Sequence, residues 1–300
     1  QLHINIGKCL YMYFKPKTAH DSSARTRLYN DFLPTLWLND YKIPQVTSTK
    51  FLGVIIDDQL SWQDHINHLE NKLKGCLVLI KRIIKYIPRA QYMNIYNSLF
   101  LSHLTYGISA WGGVPIYKLE KLFAIQKRCI RLLFGHKFSF DHSEYYQTCA
   151  RAKTYKEHCT PRDFSLEHTK PIFAENKLLT VHCLYYKHAF IETFKMLKYR
   201  APFGLYNIFK LWHNPRNVNI TLKCPKNNLM VSKHNFVMKA CTIWNFFIND
   251  VLSKNTISKY VGYIIPGEEE NSDLSASISF VKENLTKCLL KLQSNGCKET

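Results

Sequence analysis

Asp57 and Asp58 are adjacent carboxylates behind the apolar run Val54-Ile55-Ile56, an arrangement that could hold a divalent cation for phosphoryl transfer. A metal-holding aspartate hairpin continues at once into a second apolar strand. Here Gln59-Leu60-Ser61-Trp62 runs instead into a helix start, so the pair reads as structural or capping and no metal site is assigned. His136, His142, Cys149, His158, Cys159 and His168 have the ligand types of a zinc site. His158 and Cys159 are adjacent, however, rather than two to four residues apart, so a zinc site is not the preferred reading.

The remaining candidates are cations. The chain carries 41 Lys and Arg against 22 Asp and Glu, a formal charge of +19 over 300 residues. That imbalance favours a polyanionic partner, because each Lys or Arg that neutralises a phosphate releases a condensed counterion. A solvated basic surface is the plain alternative. The ten cysteines show no Cys-x-x-Cys and no regular spacing, and no secretory signal precedes them. They read as free thiols in a reducing, intracellular compartment, nucleus or cytoplasm, not secreted. Gln1 is not an initiator, and the expectation is a fragment of a longer protein whose N-terminal part is missing.

The elements that must position these groups follow from periodicity. Leu2-His3-Ile4-Asn5-Ile6 and Leu10-Tyr11-Met12-Tyr13-Phe14 alternate apolar with polar and predict two short paired strands around Gly7-Lys8. Leu36 to Val46 predicts a hairpin about Asn39-Asp40, and Phe51 onward a short buried strand. Ser61-Trp62-Gln63-Asp64 reads as a capping box opening a helix. In that helix Ile66, Leu69, Leu73, Leu77, Ile80, Ile84 and Ile87 repeat at three and four, with Lys72, Lys74, Lys81, Arg82 and Lys85 largely elsewhere on the cylinder, and Pro88 ends it.

Ala90 to Tyr117 has no charged residue, but interleaved Asn, Ser, His and Thr and the Gly112-Gly113 stop make it a buried helix rather than a membrane span. Leu119 to Phe134 predicts a third helix with Leu119, Leu122, Ile125, Cys129 and Leu132 inward and Lys121, Lys127, Arg128 and Arg131 outward. Helices are further expected over Thr180 to Lys198 and His234 to Val251, with a looser stretch from Ala201 to Ser232 and a last helix carrying Phe280, Leu285, Cys288, Leu289 and Leu292. The fold class is α+β, a small N-terminal antiparallel sheet followed by a mostly helical remainder. The expected division is 1–60, 61–135, 136–263, an acidic linker 264–277 and a final helix 278–300.

The ordered series Leu2-x-Ile4-Asn5-x-x-Lys8, Tyr11-Met12-x-Phe14 and Lys50-Phe51-Leu52-Gly53-Val54-x-Ile56-Asp57-x-x-Leu60-x-Trp62-x-x-His65-Ile66 resembles reverse transcriptases of non-LTR (LINE-like, jockey-type) retrotransposons, in the part after the catalytic aspartate hairpin. Ser102-His103-Leu104-Thr105-Tyr106-Gly107, Trp111-Gly112 and Leu119-x-x-Leu122-x-x-Ile125-Gln126 continue the resemblance, and Trp244-Asn245 resembles the tails of these elements. Cys9 stands where Thr or Ser is usual, and Trp244-Asn245 lacks the Pro that commonly follows.

The resemblance implies a partial palm over 1–60, a thumb-like region over 61–135, and two-metal nucleotidyl transfer in the intact enzyme, with Mg²⁺ held by carboxylates that precede this chain. It implies that Lys8 approaches the incoming triphosphate, a turn lysine being the plain reading. It implies that Phe51, Leu52 and Gly53 position the primer end, against a buried strand with a bulge glycine. Lys72, Lys74, Lys81, Arg82 and Lys85 would line the template–primer face, against a solvated helix face.

The expected function is therefore an RNA-directed DNA polymerase fragment that binds RNA template and DNA primer, inactive alone and binding no cofactor itself. The alternatives are a non-enzymatic nucleic-acid-binding protein derived from such an element and a helical interaction protein without a nucleic-acid role.

Overall fold

The structure is a computed structural model that describes residues 5–14, 35–38, 40–135, 169–213, 220–224, 235–252 and 274–294. The His and Cys set between His136 and His168 and the acidic stretch 264–273 lie outside these residues.

The architecture is α+β, with two small antiparallel ribbons near the N-terminus followed by helices. Its first segment departs from the sequence expectation. Ile6–Lys8 is a 3₁₀ turn rather than part of a strand pair. Tyr11 instead forms a single parallel bridge to Gln45, through Tyr11 N–H to Pro44 O and Val46 N–H to Tyr11 O. An alternating pattern holds a strand only when one face is covered, and Leu10 and Phe14 remain exposed.

The expected hairpin forms from β1 (Trp37–Leu38) and β2 (Tyr41–Lys42). The predicted strand at Phe51 is also a hairpin, β3 (Ser48–Phe51) against β4 (Val54–Asp57), with Phe51 opposite Val54. Leu52 and Gly53 make the turn at φ 46° and 85°. Positive φ at both central positions is the two-residue turn whose twist matches the strands. Leucine there gives no turn signal in the sequence, which is why the segment reads as one strand.

Helix α1 (Gln63–Ile83) buries Ile66, Leu69, Leu73 and Ile80 along one stripe and tightens to 3₁₀ geometry over Ile84–Tyr86 before Pro88. The uncharged stretch becomes α2, built of Tyr92–Ile95, a π-helical Tyr96–Leu101 and Ser102–Thr105, and then α3 (Ile108–Trp111) after Gly107 at φ 61°. Helix α4 (Ile116–Phe134) packs along α1. Among the described residues no helix is long and apolar enough to cross a membrane.

The downstream region adds α5 (Lys170–Glu175), α6 (Val181–Tyr199), α7 (Phe203–Tyr206), β5 (Lys210–His213), β6 (Ile220–Lys223), α8 (Phe236–Phe246) and α9 (Leu274–Ser294). Strands β5 and β6 pair antiparallel where the sequence reads as loose. The Asn245 side chain ties β6 to α8, accepting from Leu222 N–H at 2.7 Å and donating to Leu222 O at 2.8 Å. Phe190 on α6 stacks on Trp244 at 4.8 Å, with Phe247 edge-on.

One buried apolar cluster joins α1 to α9. Buried Gln126 on α4 donates to Tyr96 Oη and Leu179 O and accepts from Val181 N–H, each at 2.9 Å. Gln293 on α9 closes the same segment by donating to Leu178 O and accepting from Thr180 N–H, both at 3.1 Å. At Gly112 the α3 backbone passes so close to α6 that a Cβ would collide with the Tyr185 ring and the Ile108 carbonyl.

Candidate nucleic-acid interface

The strand-to-helix connection is organised by Asp57. Its buried carboxylate accepts from Gln59 N–H at 3.2 Å and Ser61 N–H at 2.8 Å through Oδ1, and from Trp62 N–H at 2.7 Å through Oδ2. These bonds coil a connection in which Leu60 and Trp62 both have positive φ, and they place a negative charge at the start of α1, where the helix dipole favours it. Trp62 is the N-cap and makes no side-chain cap bond, so the expected Ser61 box is corrected. Ser61 Oγ accepts only a 3.3 Å bond from Gln63 N–H, and the anion from β4 does the capping. The structural reading of Asp57 holds.

With its oxygens engaged by three backbone amides, Asp57 does not fit a metal-ligand role, and among the described residues no group of three or more His, Cys, Asp or Glu could hold an ion. The Mg²⁺ implied by the resemblance therefore enters no step here.

The hairpin above this connection is held at its tip, middle and base. Tyr106 donates its hydroxyl to Leu52 O at 2.6 Å, across the turn. Gly53 lies under the same ring, where a Cβ would approach Tyr106 Cε1 to 3.1 Å at a φ that L-residues rarely adopt. In the middle, Ile55 N–H donates to His65 Nδ1 at 3.3 Å. That bond makes Nδ1 the acceptor of a neutral ring, and burial, with His68 adding, pushes His65 down to about 4. Trp111 packs at 5.5 Å from His65 and donates Nε1–H to Tyr106 O at 2.9 Å. At the base, Lys118 Nζ donates to Ser61 O at 2.6 Å.

Phe51 and Leu52 thus stand out from a fixed mount, 61% and 76% exposed. The sequence expectation of a buried strand is corrected: β3 and β4 face each other through a turn, and the apolar pair sits at its end. The tip carries no titratable group. It can offer apolar contact and backbone polar atoms to a ribose or base face, and it cannot move a proton.

The four α1 cations Lys72, Lys74, Lys81 and Arg82, and Lys85 in the 3₁₀ turn that follows, are exposed. They do not form one row. At 100° per residue Lys74 and Lys81 share a flank, Lys72 lies on the other, and Arg82 points outward between them, about 15 Å along the axis from Lys72. Lys74 is paired with Glu70 at 2.6 Å. Lys8 is exposed in its 3₁₀ turn.

On α4 the expected outward Lys127 is corrected: it is 8% exposed, with its ammonium 4.7 Å from the Phe123 ring centre. Burial first, and Arg131 next, lower its pKa against the opposing pull of Glu120. Lys121, Arg128 and Arg131 remain outside. The sequence assigns no role to the Tyr106, His65, Trp111 and Lys118 side chains. The one signal it offers is a histidine beside Ile66 on the apolar stripe.

The chain is 20% identical over 127 residues to the probable RNA-directed DNA polymerase from transposon X-element of Drosophila melanogaster, covering 41% of this chain and 14% of that protein. It is 23% identical over 103 residues to the retrovirus-related Pol polyprotein from type-1 retrotransposable element R1 of Bradysia coprophila, covering 33% of this chain and 10% of that one. The matched part thus spans about a tenth to a seventh of these relatives' length. No protein-family model and no solved structure matches the chain. The relatives are non-LTR retrotransposon RNA-directed DNA polymerases, the group that the sequence resembles.

Proposed function

We propose that this chain supplies the primer-holding hairpin and thumb-like helices of a non-LTR, jockey-type retrotransposon reverse transcriptase, and that it binds an RNA template paired with a DNA primer. The observation that carries this reading is the clamped hairpin. A hairpin with an apolar tip, held at tip, middle and base by Tyr106, His65 and Lys118, stands at the start of a helix whose exposed face is cationic.

In this reading Phe51 and Leu52 pack against the primer's terminal nucleotide, and Gly53 lets backbone approach backbone. Lys72, Lys81, Arg82 and Lys85 neutralise phosphates, and Lys8 contacts the incoming triphosphate. Residues 1–60 act as the end of the palm and 61–135 as the thumb. Carboxylates elsewhere in the intact enzyme hold Mg²⁺ for nucleotidyl transfer in an intracellular setting. The isolated chain then binds without polymerising.

Two measurements test this. Titration of a fluorescent RNA–DNA hybrid against the chain and against Lys81→Glu with Arg82→Glu should show weaker binding by the variant and a salt slope shallower by about one for each phosphate no longer neutralised. An unchanged dissociation constant at low salt removes α1 from the interface. Primer extension with Mg²⁺ should give no incorporation above a blank, and measurable extension would overturn the division of labour.

A further inference from the structure

A second cationic surface lies on elements to which the hairpin and α1 contribute nothing. Lys187 of α6 and Lys282 of α9 line a cleft of ≈ 640 Å³, which Lys177, Lys287 and Lys291 extend. A neighbouring hollow of ≈ 220 Å³ shares Leu290 and Lys291 with it and adds Lys170. Among the described residues Glu283 is the one acid lining the cleft, and it is paired with Lys287 at 2.6 Å.

Lys187 is half-buried while Lys177, Lys282, Lys287 and Lys291 are exposed, and like charges gathered around one depression repel unless an anion joins them. Burial first, and then the neighbouring Lys282, hold the Lys187 ammonium below its usual value. His188 is lowered by burial and by Lys187, with Lys195 and Lys282 adding and Glu192 opposing. Lys177 sits at φ 51° past the end of α5, exposed at the edge of the cleft.

The lining also says what is not read. Among the described residues the lining has no aromatic side chain on which an unpaired base could stack, and the Gln293 amide in the adjoining hollow is committed to Leu178 and Thr180. Lys282 and Lys291 are about 13 Å apart along the axis of α9 and about 180° apart around it, so they border the cleft from opposite sides. A shallow depression bordered by lysines complements the phosphates of a nucleic-acid backbone in charge.

We infer that the α6–α9 cleft is a second nucleic-acid site, which binds the phosphodiester backbone of a duplex through Lys187, Lys282 and Lys291 without reading its bases. The site is independent of the template–primer reading of α1.

The test uses the full chain. Lysine acetylation is mapped by mass spectrometry with and without a short RNA–DNA hybrid, at low and high salt. Lys187, Lys282 and Lys291 should be protected by the hybrid at low salt and released at high salt. The variant Lys282→Gln with Lys291→Gln should keep the thermal midpoint and reduce the salt slope by about two, one per lysine. Equal acetylation with and without hybrid overturns the inference, as does protection by polyglutamate or anionic vesicles but not by the hybrid. If the cleft variant weakens binding while Lys81→Glu with Arg82→Glu does not, the α1 reading fails and this one stands. The reverse result sinks this one alone.

Discussion

The hairpin junction and the α6–α8 packing are held together by different physics. Around β3 and β4 the holding contacts are side chains reaching backbone: Asp57 to three amides, His65 to Ile55, Tyr106 to Leu52 and Lys118 to Ser61. In the downstream region fully buried Phe190, Phe194, Trp244 and Phe247 fill a core. Apolar burial is strong and tolerant of direction, whereas a hydrogen bond fixes position at about 1 kcal/mol net. The first region is thus built to aim a surface and the second to supply stability.

The largest expected effect lies in the aromatic core. Trp244→Ala removes the ring stacked on Phe190 and should cost about 3–5 kcal/mol, read as a lowered urea midpoint. A loss below about 1 kcal/mol would break the contrast, because stability would then reside elsewhere.

Acid should come next and strike both regions. His65 near the hairpin and His182 on α6, each pushed down to about 4 by burial, bind fewer protons folded than unfolded between about 6.5 and 4. Their contribution, up to about 3 kcal/mol each, is fully present above pH 6.5 and is lost as the pH falls through about 4. Unfolding curves over that window should flatten by a similar amount in His65→Gln and His182→Gln. A slope unchanged by His65→Gln would show that its ring is not held neutral.

The smallest effect on stability should be the most informative for function. Tyr106→Phe deletes one bond to an exposed turn and should cost about 1 kcal/mol or less. It should still weaken hybrid binding, since the tip loses its anchor. Weakened binding with an unchanged unfolding midpoint sharpens the contrast, and unchanged binding removes Tyr106 from the mount.

The same contrast explains what the sequence makes legible. The α1 stripe is readable because Ile66, Leu69, Leu73 and Ile80 repeat locally, and Asp57 is readable as structural because Gln59 to Trp62 cannot continue a strand. The hairpin turn is hidden because Leu52 adopts a glycine-like conformation without being a turn residue. Lys127 is misplaced by periodicity because spacing puts it outward while Phe123, one turn back, draws it in. Gln126, Asn245 and Gln293 carry no periodic signal. Their backbone partners lie 23 to 115 residues away, so only the assembled chain defines their roles. Strands β5 and β6 are obscured by the prolines around them.

The close approach at Gly112 has a mechanical consequence. With no clearance between α3 and α6, a tilt of α6 reaches the neighbouring Trp111, and through its bonds and packing the tyrosine and histidine that aim the hairpin. A hinge separating the tip from the downstream helices cannot sit at this crossing. Strain imposed on either part would register in the other.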